Sequence, residues 1–248
     1  MRRLLLLAAL TVAASGCGSS GSRLKPLVQH GPVGTGAREV WFYAAKGKPR
    51  SVVVFLHGFG GPTEETPVNH VAWLKHLAVE GNDVIYPRYE RGASPNPFPD
   101  LDAGISAAMS RLSNPKAPQI VIGYSRGGRI AVDYAALQAS RRQEPKAVLA
   151  VFPGPSSPYE KLGPLEALDS KTEIVMMVGD RDTGVGGLGA HEILRRLERA
   201  RFPASRIQVI GVKSTKRFSA THLSVMEVSA GARRAFWEPE DKLIDSVR

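Results

Sequence analysis

The chain has 248 residues and a formal net charge of +10; 43% of its residues are hydrophobic and one is a cysteine. A chain of this size buries enough apolar surface to form one domain without a metal or a disulfide bond, and a single cysteine excludes an intramolecular disulfide. The basic residues are scattered and not interleaved with aromatic residues, which argues against nucleic acid as a partner.

The first residues predict an export signal. Arg2 and Arg3 precede an apolar run over 4–14, and small residues follow up to the only cysteine, Cys17. The run is shorter than the ~20 residues that a membrane-spanning helix needs. The segment resembles a bacterial lipoprotein signal, which implies that residues 1–16 are removed and that a lipid on Cys17 anchors the protein to a membrane of the cell envelope. An ordinary signal peptide followed by a stray cysteine is the alternative, and both interpretations predict an exported protein.

Residues 17–36 predict a flexible tether. The segment is rich in Gly and Ser, contains Pro26 and Pro32, and shows no apolar periodicity. Beyond it, residues 37–248 show neither an internal repeat nor a second domain boundary. The sequence therefore predicts one folded domain over 37–248, held at the end of a tether.

Apolar runs alternate with segments of helical periodicity along this domain. Strands are predicted over 39–43 (as an edge strand), 51–56, 83–86, 119–122, 147–152, 173–178 and 206–210. Helices are predicted over 68–79, 101–112, 129–138, about 159–168 and 191–200, with a final helical region from 221. Residues 88–99 predict a surface loop. This alternation is typical of an α/β fold with a mostly parallel central sheet and helices on both faces.

A Gly-x-Ser-x-Gly motif lies where the strand at 119–122 meets the next helix. Its residues are Gly123, Ser125 and Gly127. A strand, a sharp turn and a helix in this order lift the Ser125 hydroxyl above the end of a buried strand, and the glycines allow a close crossing of backbone. The motif alone is weak evidence, because a chain this rich in Gly and Ser can contain it by chance.

Further polar residues follow other predicted strands, where the active sites of open α/β sheets lie. Asp182 follows the strand at 173–178, and His222 lies beyond the last strand. A serine hydroxyl becomes a good nucleophile when an imidazole takes its proton and a carboxylate orients that imidazole. Asp180 competes with Asp182 for the carboxylate position, although it could instead cap the following turn.

Together these features resemble the α/β-hydrolase family over essentially the whole predicted domain. The resemblance implies that Ser125 is the nucleophile, Asp182 the acid and His222 the general base. It also implies an oxyanion hole formed by the backbone N–H groups of Phe59 and Arg126. The chain order of Ser, Asp and His matches the order in that family.

The same resemblance predicts a loop beside the substrate, with Tyr124 of the serine motif next to it. The loop residues are His57, Gly58, Gly60 and Gly61, and the glycines let the loop pass close to the substrate. His57 is interpreted as a hydrogen-bonding residue of this loop and not as the base, because it follows the wrong strand for that role.

The remaining histidines and glycines are given structural interpretations. His70, His76 and His191 lie on predicted helices and are interpreted as surface residues. The Gly-rich stretch at 184–189 is interpreted as a loop beside the acid, because no Gly-Lys-Ser/Thr follows it as in a phosphate-binding loop. We therefore expect neither a metal site nor a cofactor.

These features predict a serine hydrolase that cleaves carboxylic esters through an acyl-enzyme. Only residues 153–172, four of them proline, separate two strands where many members of the family insert a cap, so we expect an open site that favours short acyl chains. The alternatives are an amidase or peptidase with the same triad, and a non-catalytic binding protein of the envelope. The expected partners are a small ester and, through Cys17, a membrane; oligomeric state stays open, with a monomer as the expectation.

Overall fold

A computed structural model describes residues 28–248. The predicted signal peptide, the predicted lipidation site at Cys17 and most of the predicted tether lie outside the described residues and stay predictions. None of the helices within 28–248 is long and apolar enough to cross a membrane.

An eight-stranded sheet passes through the domain. Its strands are β1 (Gln29–Val33), β2 (Val40–Tyr43), β3 (Ser51–Leu56), β4 (Asn82–Pro87), β5 (Gln119–Tyr124), β6 (Ala147–Val151), β7 (Glu173–Gly179) and β8 (Ile207–Val212). They lie in the order β1-β2-β4-β3-β5-β6-β7-β8. The pairs β1–β2 and β2–β4 are antiparallel, and all pairs from β4 to β8 are parallel. The predicted α/β architecture with a mostly parallel sheet is confirmed.

Helices cover both faces of this sheet. They are α1 (Val71–Val79), α2 (Phe98–Met109), α3 (Arg126–Ser140), α4 (Leu188–Arg199), α5 (Ala230–Ala232) and α6 (Glu238–Ser246), with a π-helical turn, Arg233–Trp237, joining the last two. Short 3-10 turns lie at Gly36–Arg38, Gly61–Glu64, Leu165–Ala167, Ala204–Arg206 and His222–Met226. Helix α2 begins three residues before the predicted start because Pro99 is tolerated in a first turn.

The residues of β3 show how the two faces are built. Val52, Val54 and Leu56 pack with apolar residues of α2, α3 and α4. The alternate residues, Val53 and Phe55, pack with α1 and the C-terminal helices on the other face. Because every residue of this strand is buried, its sequence reads as a continuous apolar run. Each such side chain contributes about 1.5–3 kcal/mol by leaving water.

Strand β1 corrects the predicted boundary of the tether. Gln29–Val33 falls inside the predicted tether at 17–36, yet it pairs with β2 at the edge of the sheet. A largely exposed edge strand needs no strict apolar alternation and tolerates a residue such as Pro32. The residues of β1 therefore show no pattern that would predict a strand. The folded domain therefore begins before residue 37, and β2, predicted as an edge strand, lies between β1 and β4.

The predicted crossover helix at about 159–168 is wrong. Between β6 and β7 the structure contains one 3-10 turn, Leu165–Ala167. Prolines interrupt this segment, and Gly163 lies so close to Asp133 of α3 that a Cβ atom would overlap its carbonyl oxygen. The segment is therefore irregular chain whose 3-10 turn packs against α3. No sizeable cap domain is present in the part of the chain that the structure describes, as predicted.

His70 corrects another prediction, because it is buried and not on the surface. Its ring lies 5.0 Å from that of Phe55 and 5.8 Å from that of Tyr124, measured between centroids. Neither ring nitrogen has a hydrogen-bond partner. Burial lowers the pKa of His70 to about 3, so the ring is neutral in the folded protein.

We expect His70 to make the protein less stable as the pH falls from 7.5 to 5. Below its ordinary pKa of about 6.5 the unfolded chain binds a proton at this residue, whereas the folded chain does so only near pH 3. The contribution of neutral His70 to the free energy of unfolding is fully present above the unfolded pKa. At pH 5 the free energy of unfolding is lower by about 2 kcal/mol on account of this residue. Urea unfolding at both pH values measures the decrease in the free energy of unfolding between pH 7.5 and pH 5. This decrease should be about 2 kcal/mol smaller for His70→Phe than for wild type.

The control for this experiment is His191→Phe, which removes an exposed histidine of α4. It should leave the pH-dependent loss unchanged. Equal losses in wild type and His70→Phe would show that His70 does not stay neutral in the folded protein.

Candidate active site

Ser125 lies at a sharp turn between β5 and α3. Its φ of 56° and ψ of −122° are unusual for a residue with a side chain and cost about 1–3 kcal/mol. A Cβ atom on Gly123 would overlap the carbonyl of Gly127, and one on Gly127 would overlap the carbonyl of Leu56. Only glycine fits at both positions, so the motif produces the strained turn that the sequence predicts.

The structure brings the three predicted catalytic residues together. Ser125 Oγ lies 2.9 Å from His222 Nε2, and His222 Nδ1 lies 2.9 Å from Asp182 Oδ2. Ser125 follows β5, Asp182 follows β7, and His222 begins the 3-10 turn after β8. The carboxyl ends of these parallel strands meet at one edge of the sheet, so residues almost a hundred positions apart form one hydrogen-bonded chain.

Backbone donors hold the carboxylate of Asp182. Its side chain is fully buried, and Oδ1 accepts the N–H groups of Gly184 at 2.9 Å and Val185 at 3.1 Å. These two bonds leave Oδ2 for His222. The first two residues of the Gly-rich stretch at 184–189 therefore contact the acid. This position agrees with the interpretation of the stretch as a loop beside the acid.

Asp180, the competing carboxylate, lies outside this constellation. It is exposed and accepts hydrogen bonds from Ser214, at 2.6 Å from the hydroxyl and 3.0 Å from the backbone N–H. These bonds lower the pKa of Asp180. Its contacts are those of a residue that joins the end of β7 to the chain after β8.

Tyr124 supports His222 and packs against Gly58 of the loop, where a Cβ atom would lie 3.0 Å from the tyrosine ring. The Tyr124 side chain is buried, and its hydroxyl donates to the backbone carbonyl of His222 at 2.8 Å. The two rings lie 5.1 Å apart. Because the residue between the motif glycine and the serine ends a buried strand, its side chain points into the core and fixes the turn that carries His222.

His57 begins this loop and is also buried. Its ring nitrogens lie 2.7 Å from the carbonyl oxygen of Gly58 and 2.6 Å from that of Arg88. The ring stacks on Tyr89 at 4.2 Å, and burial lowers the pKa of His57. These contacts agree with its interpretation as a hydrogen-bonding residue of the loop.

The rest of this loop passes beside the nucleophile. A Cβ atom on Gly58 would lie 3.2 Å from that of Ser125. Phe59 follows, with an exposed side chain, and Gly60 and Gly61 then adopt φ values of 87° and 70° that favour glycine. The loop is therefore positioned to present a backbone N–H close to the serine.

Arg126 is the first residue of α3, directly after Ser125. The first N–H groups of a helix have no acceptor within it, and the helix dipole adds positive charge at this end. The backbone of Arg126 is therefore suited to stabilise a negative oxygen next to Ser125. It is the second predicted oxyanion donor, opposite the loop that carries Phe59.

The side chain of Arg126 contacts acidic residues that the sequence analysis did not identify. It binds Glu90 through two of its nitrogens and forms an ion pair with Glu160. Glu90 and Tyr89 are buried, so the predicted surface loop at 88–99 is wrong at these positions. No spacing or motif distinguishes these carboxylates in the sequence, since their partner is remote along the chain.

The one group of three potential metal-ligating side chains within 28–248 lies elsewhere. It consists of His76, Glu240 and Asp241, which join α1 to the C-terminal helix. His76 is only partly exposed and contacts Asp241 at 3.0 Å, so its prediction as a simple surface residue is incomplete. None of these residues belongs to the constellation around Ser125.

No family model matches this sequence, and no curated protein matches it. Solved structures do resemble it. Esterase B from Lactobacillus rhamnosis aligns with a TM-score of 0.66 and 13% identity, over 89% of this chain and 85% of the esterase. A variant of the monoglyceride lipase from Saccharomyces cerevisiae gives 0.63 and 14%, over 93% and 99% of the two chains.

An α/β-hydrolase enzyme from a Medee basin deep-sea metagenome library gives a TM-score of 0.55 and 19% identity, over 84% of this chain and 93% of the enzyme. At such low identity, these similarities establish the arrangement of strands and helices, because one fold hosts many reactions. The alignments cover between 84% and 93% of this chain. This chain has the α/β-hydrolase fold.

Proposed function

We propose that this protein is a serine hydrolase that cleaves carboxylic esters through an acyl-enzyme intermediate. One observation supports the proposal above all, the unbroken hydrogen-bonded chain from Ser125 through His222 to the buried carboxylate of Asp182. Each residue has the environment that its role needs: a strained turn for the nucleophile, a held ring for the base and two backbone donors for the acid.

The proposed first half-reaction forms the acyl-enzyme. The Ser125 hydroxyl oxygen attacks the ester carbonyl while His222 Nε2 takes its proton, and Asp182 stabilises the charged imidazole through Nδ1–H. The tetrahedral intermediate then loses its alcohol as His222 returns the proton to the departing oxygen. In the second half-reaction water attacks the acyl carbon while His222 takes its proton; the bond from that carbon to Ser125 Oγ then breaks, His222 returns the proton to Oγ, and the carboxylic acid leaves.

Two backbone N–H groups are proposed to stabilise the oxyanion of both tetrahedral intermediates. They belong to Arg126, at the start of α3, and Phe59, in the loop after β3. The position of Gly58 against Ser125 supports this assignment, because it brings the loop backbone to the nucleophile. Oxyanion donors of this kind contribute about 10²–10³ in kcat each.

An open site that favours short acyl chains is supported by what surrounds it. The segment between β6 and β7 lies along α3 and forms no cap within the described part of the chain. Exposed apolar side chains in the connections after β3, β7 and β8 offer contacts to an acyl group: Phe59, Leu188 at the start of α4, and Leu223 in the 3-10 turn. An esterase and a monoglyceride lipase are among the solved structures that share this fold, which agrees with an ester substrate.

We expect p-nitrophenyl acetate and butyrate to be hydrolysed with ordinary saturation kinetics and faster than the laurate or palmitate. Rates should not rise abruptly above the solubility limit of the substrate, because no lid has to open at an interface. Initial rates over a series of acyl lengths, below and above saturation, measure this.

The p-nitroanilides of the same acids serve as the control, because they replace the ester bond with an amide bond. A preference for long chains with a sharp rise on emulsions would contradict the open short-chain site, and turnover of anilides without esters would contradict ester hydrolysis.

We also propose that the enzyme acts in the cell envelope. The support is the sequence alone, in the basic and apolar residues of 1–16 and the cysteine at 17. Mass spectrometry of the mature N terminus tests the proposal: a diacylglyceryl group on Cys17 is expected, and an unmodified Cys17 or an uncleaved residue 1 contradicts it.

A further inference from the structure

The guanidinium of Arg126 is bound on all sides. Nε lies 3.0 Å from Glu90 Oε1, and Nη2 lies 3.0 Å from Glu90 Oε2 and 2.6 Å from the carbonyl oxygen of Ser94. Nη1 forms an ion pair with Glu160. We call Arg126, Glu90 and Glu160 the Arg126 clamp. Two carboxylates and a carbonyl leave this arginine no free side for a ligand.

The clamp belongs to a buried network with balanced charge. The exposed side-chain fraction is 0% for Glu90, 6% for Glu160 and 12% for Arg126. Glu160 also binds Arg129 at 2.6 Å, and Asp133 pairs with Arg129 and Arg196. Three arginines thus face three carboxylates. Charges buried to this degree are tolerated only when paired, so the network neutralises itself.

Because its charge is already balanced, the Arg126 side chain does not need an anionic ligand. An arginine next to a nucleophile could recognise an anionic substrate, but it would have to exchange two buried carboxylates for the ligand. Breaking a buried ion pair costs about 3–5 kcal/mol. The side chain of Arg126 is therefore suited to hold the backbone and not to bind an acid group of the substrate.

The clamp lies next to Ser125, whose backbone is strained. Strained backbone such as that of Ser125 persists only where many surrounding contacts hold it in place. Glu90 reaches Arg126 from the segment after β4, and Glu160 reaches it from the segment after β6. The two segments also bind each other, through the N–H of Lys161 and the carbonyl of Pro95 at 2.7 Å. The first turn of α3 is thereby held from two sides.

We propose that Glu90 and Glu160 are positioning residues for ester hydrolysis: through the Arg126 side chain they hold the backbone N–H that stabilises the oxyanion. This inference rests on the proposed function. The clamp keeps this donor arranged before the substrate binds. Preorganised donors need no rearrangement during the reaction, which is the source of their effect on rate.

The test uses Glu90→Gln and Glu160→Gln, which keep the shape of each side chain and remove its charge. We expect kcat for p-nitrophenyl butyrate to fall about tenfold in each variant, less than the 10²–10³ for losing an oxyanion donor outright. KM should change by less than about twofold, because the N–H bonds the oxyanion more strongly than the ground-state carbonyl.

A trifluoromethyl ketone gives a second readout that a merely structural role does not change. Ser125 adds to the ketone carbonyl, His222 takes the proton, and the resulting hemiketal oxyanion occupies the same N–H groups. The Ki of this ketone should therefore rise in parallel with the loss of kcat/KM in both variants. An unchanged Ki alongside a lower kcat would contradict the inference.

Asp133→Asn is the matched control. Asp133 belongs to the same network and accepts the N–H of Gly163 at 2.9 Å, but it has no contact with Arg126. It should lower the Tm and leave kcat unchanged at 25 °C. An equal loss of kcat in Asp133→Asn, or an unchanged kcat in folded Glu90→Gln and Glu160→Gln, overturns the inference.

The wild-type assay separates this inference from the proposed function. If wild type turns over the ester and the clamp variants match it, only the positioning roles are wrong. If folded wild type hydrolyses neither esters nor amides, the proposed function and the inference both fail. Should Glu90→Gln not fold, Glu160→Gln and the ketone decide the outcome.

Discussion

Ser125→Ala should lower kcat for ester hydrolysis by about a million-fold, and His222→Ala by about the same factor. The Ser125 hydroxyl lies 2.9 Å from His222 Nε2, so each residue is ineffective without the other. Because they act as a unit, the double variant should be no slower than either single variant. Single-turnover and steady-state rates on p-nitrophenyl butyrate measure these losses.

Ser156→Ala is the control for the serine. Ser156 lies in the segment after β6, and its hydroxyl and backbone N–H both bind the carboxylate of Glu192 in α4 and not His222. It should keep nearly full activity. Substantial esterase activity in Ser125→Ala would show that another residue is the nucleophile.

Asp182→Asn should lower kcat by about ten-thousand-fold, whereas Asp180→Asn should change it by less than about twofold. The asparagine keeps the side-chain shape of Asp182 but cannot stabilise the charged imidazole. It also favours the tautomer of His222 whose Nε2 carries the proton and cannot accept one from Ser125. Asp180 instead binds Ser214 at the surface.

The two asparagine variants are compared on the same ester at the same pH. Since both changes remove one negative charge from the end of β7, a general charge effect would act on both alike. A large loss in Asp180→Asn with an active Asp182→Asn would show that the carboxylate assignment is reversed.

The central strands and the residues that follow them could be predicted from the sequence. Strands buried on both faces read as continuous apolar runs, such as 51–56 and 119–122, and they are hard to mistake. In a parallel sheet their carboxyl ends meet at one edge, so the proximity of Ser125, Asp182 and His222 follows from chain order and topology. The glycines of the motif added the local reason for the turn.

Features that depend on remote neighbours could not be predicted in this way. Strand β1 is half-exposed and carries Pro32, so nothing in its own residues separates it from a tether. Glu90 lies in a proline-containing stretch that has the composition of a surface loop, and its burial depends on Arg126, 36 positions later. His70 lies at a helix start, where a histidine is usually exposed, and the aromatic rings of β3, β4 and β5 that bury it are remote along the chain.

The most direct test of the proposed site is the identity of the residue that a fluorophosphonate modifies. A fluorophosphonate phosphonylates a serine activated as Ser125 is proposed to be, with loss of fluoride, and tandem mass spectrometry of the digested protein locates the adduct. We predict one adduct on Ser125 in wild type, formed together with loss of esterase activity, and almost none in His222→Ala. An adduct on another residue, or a folded wild type that the reagent does not modify, would contradict the assignment of Ser125 as the nucleophile.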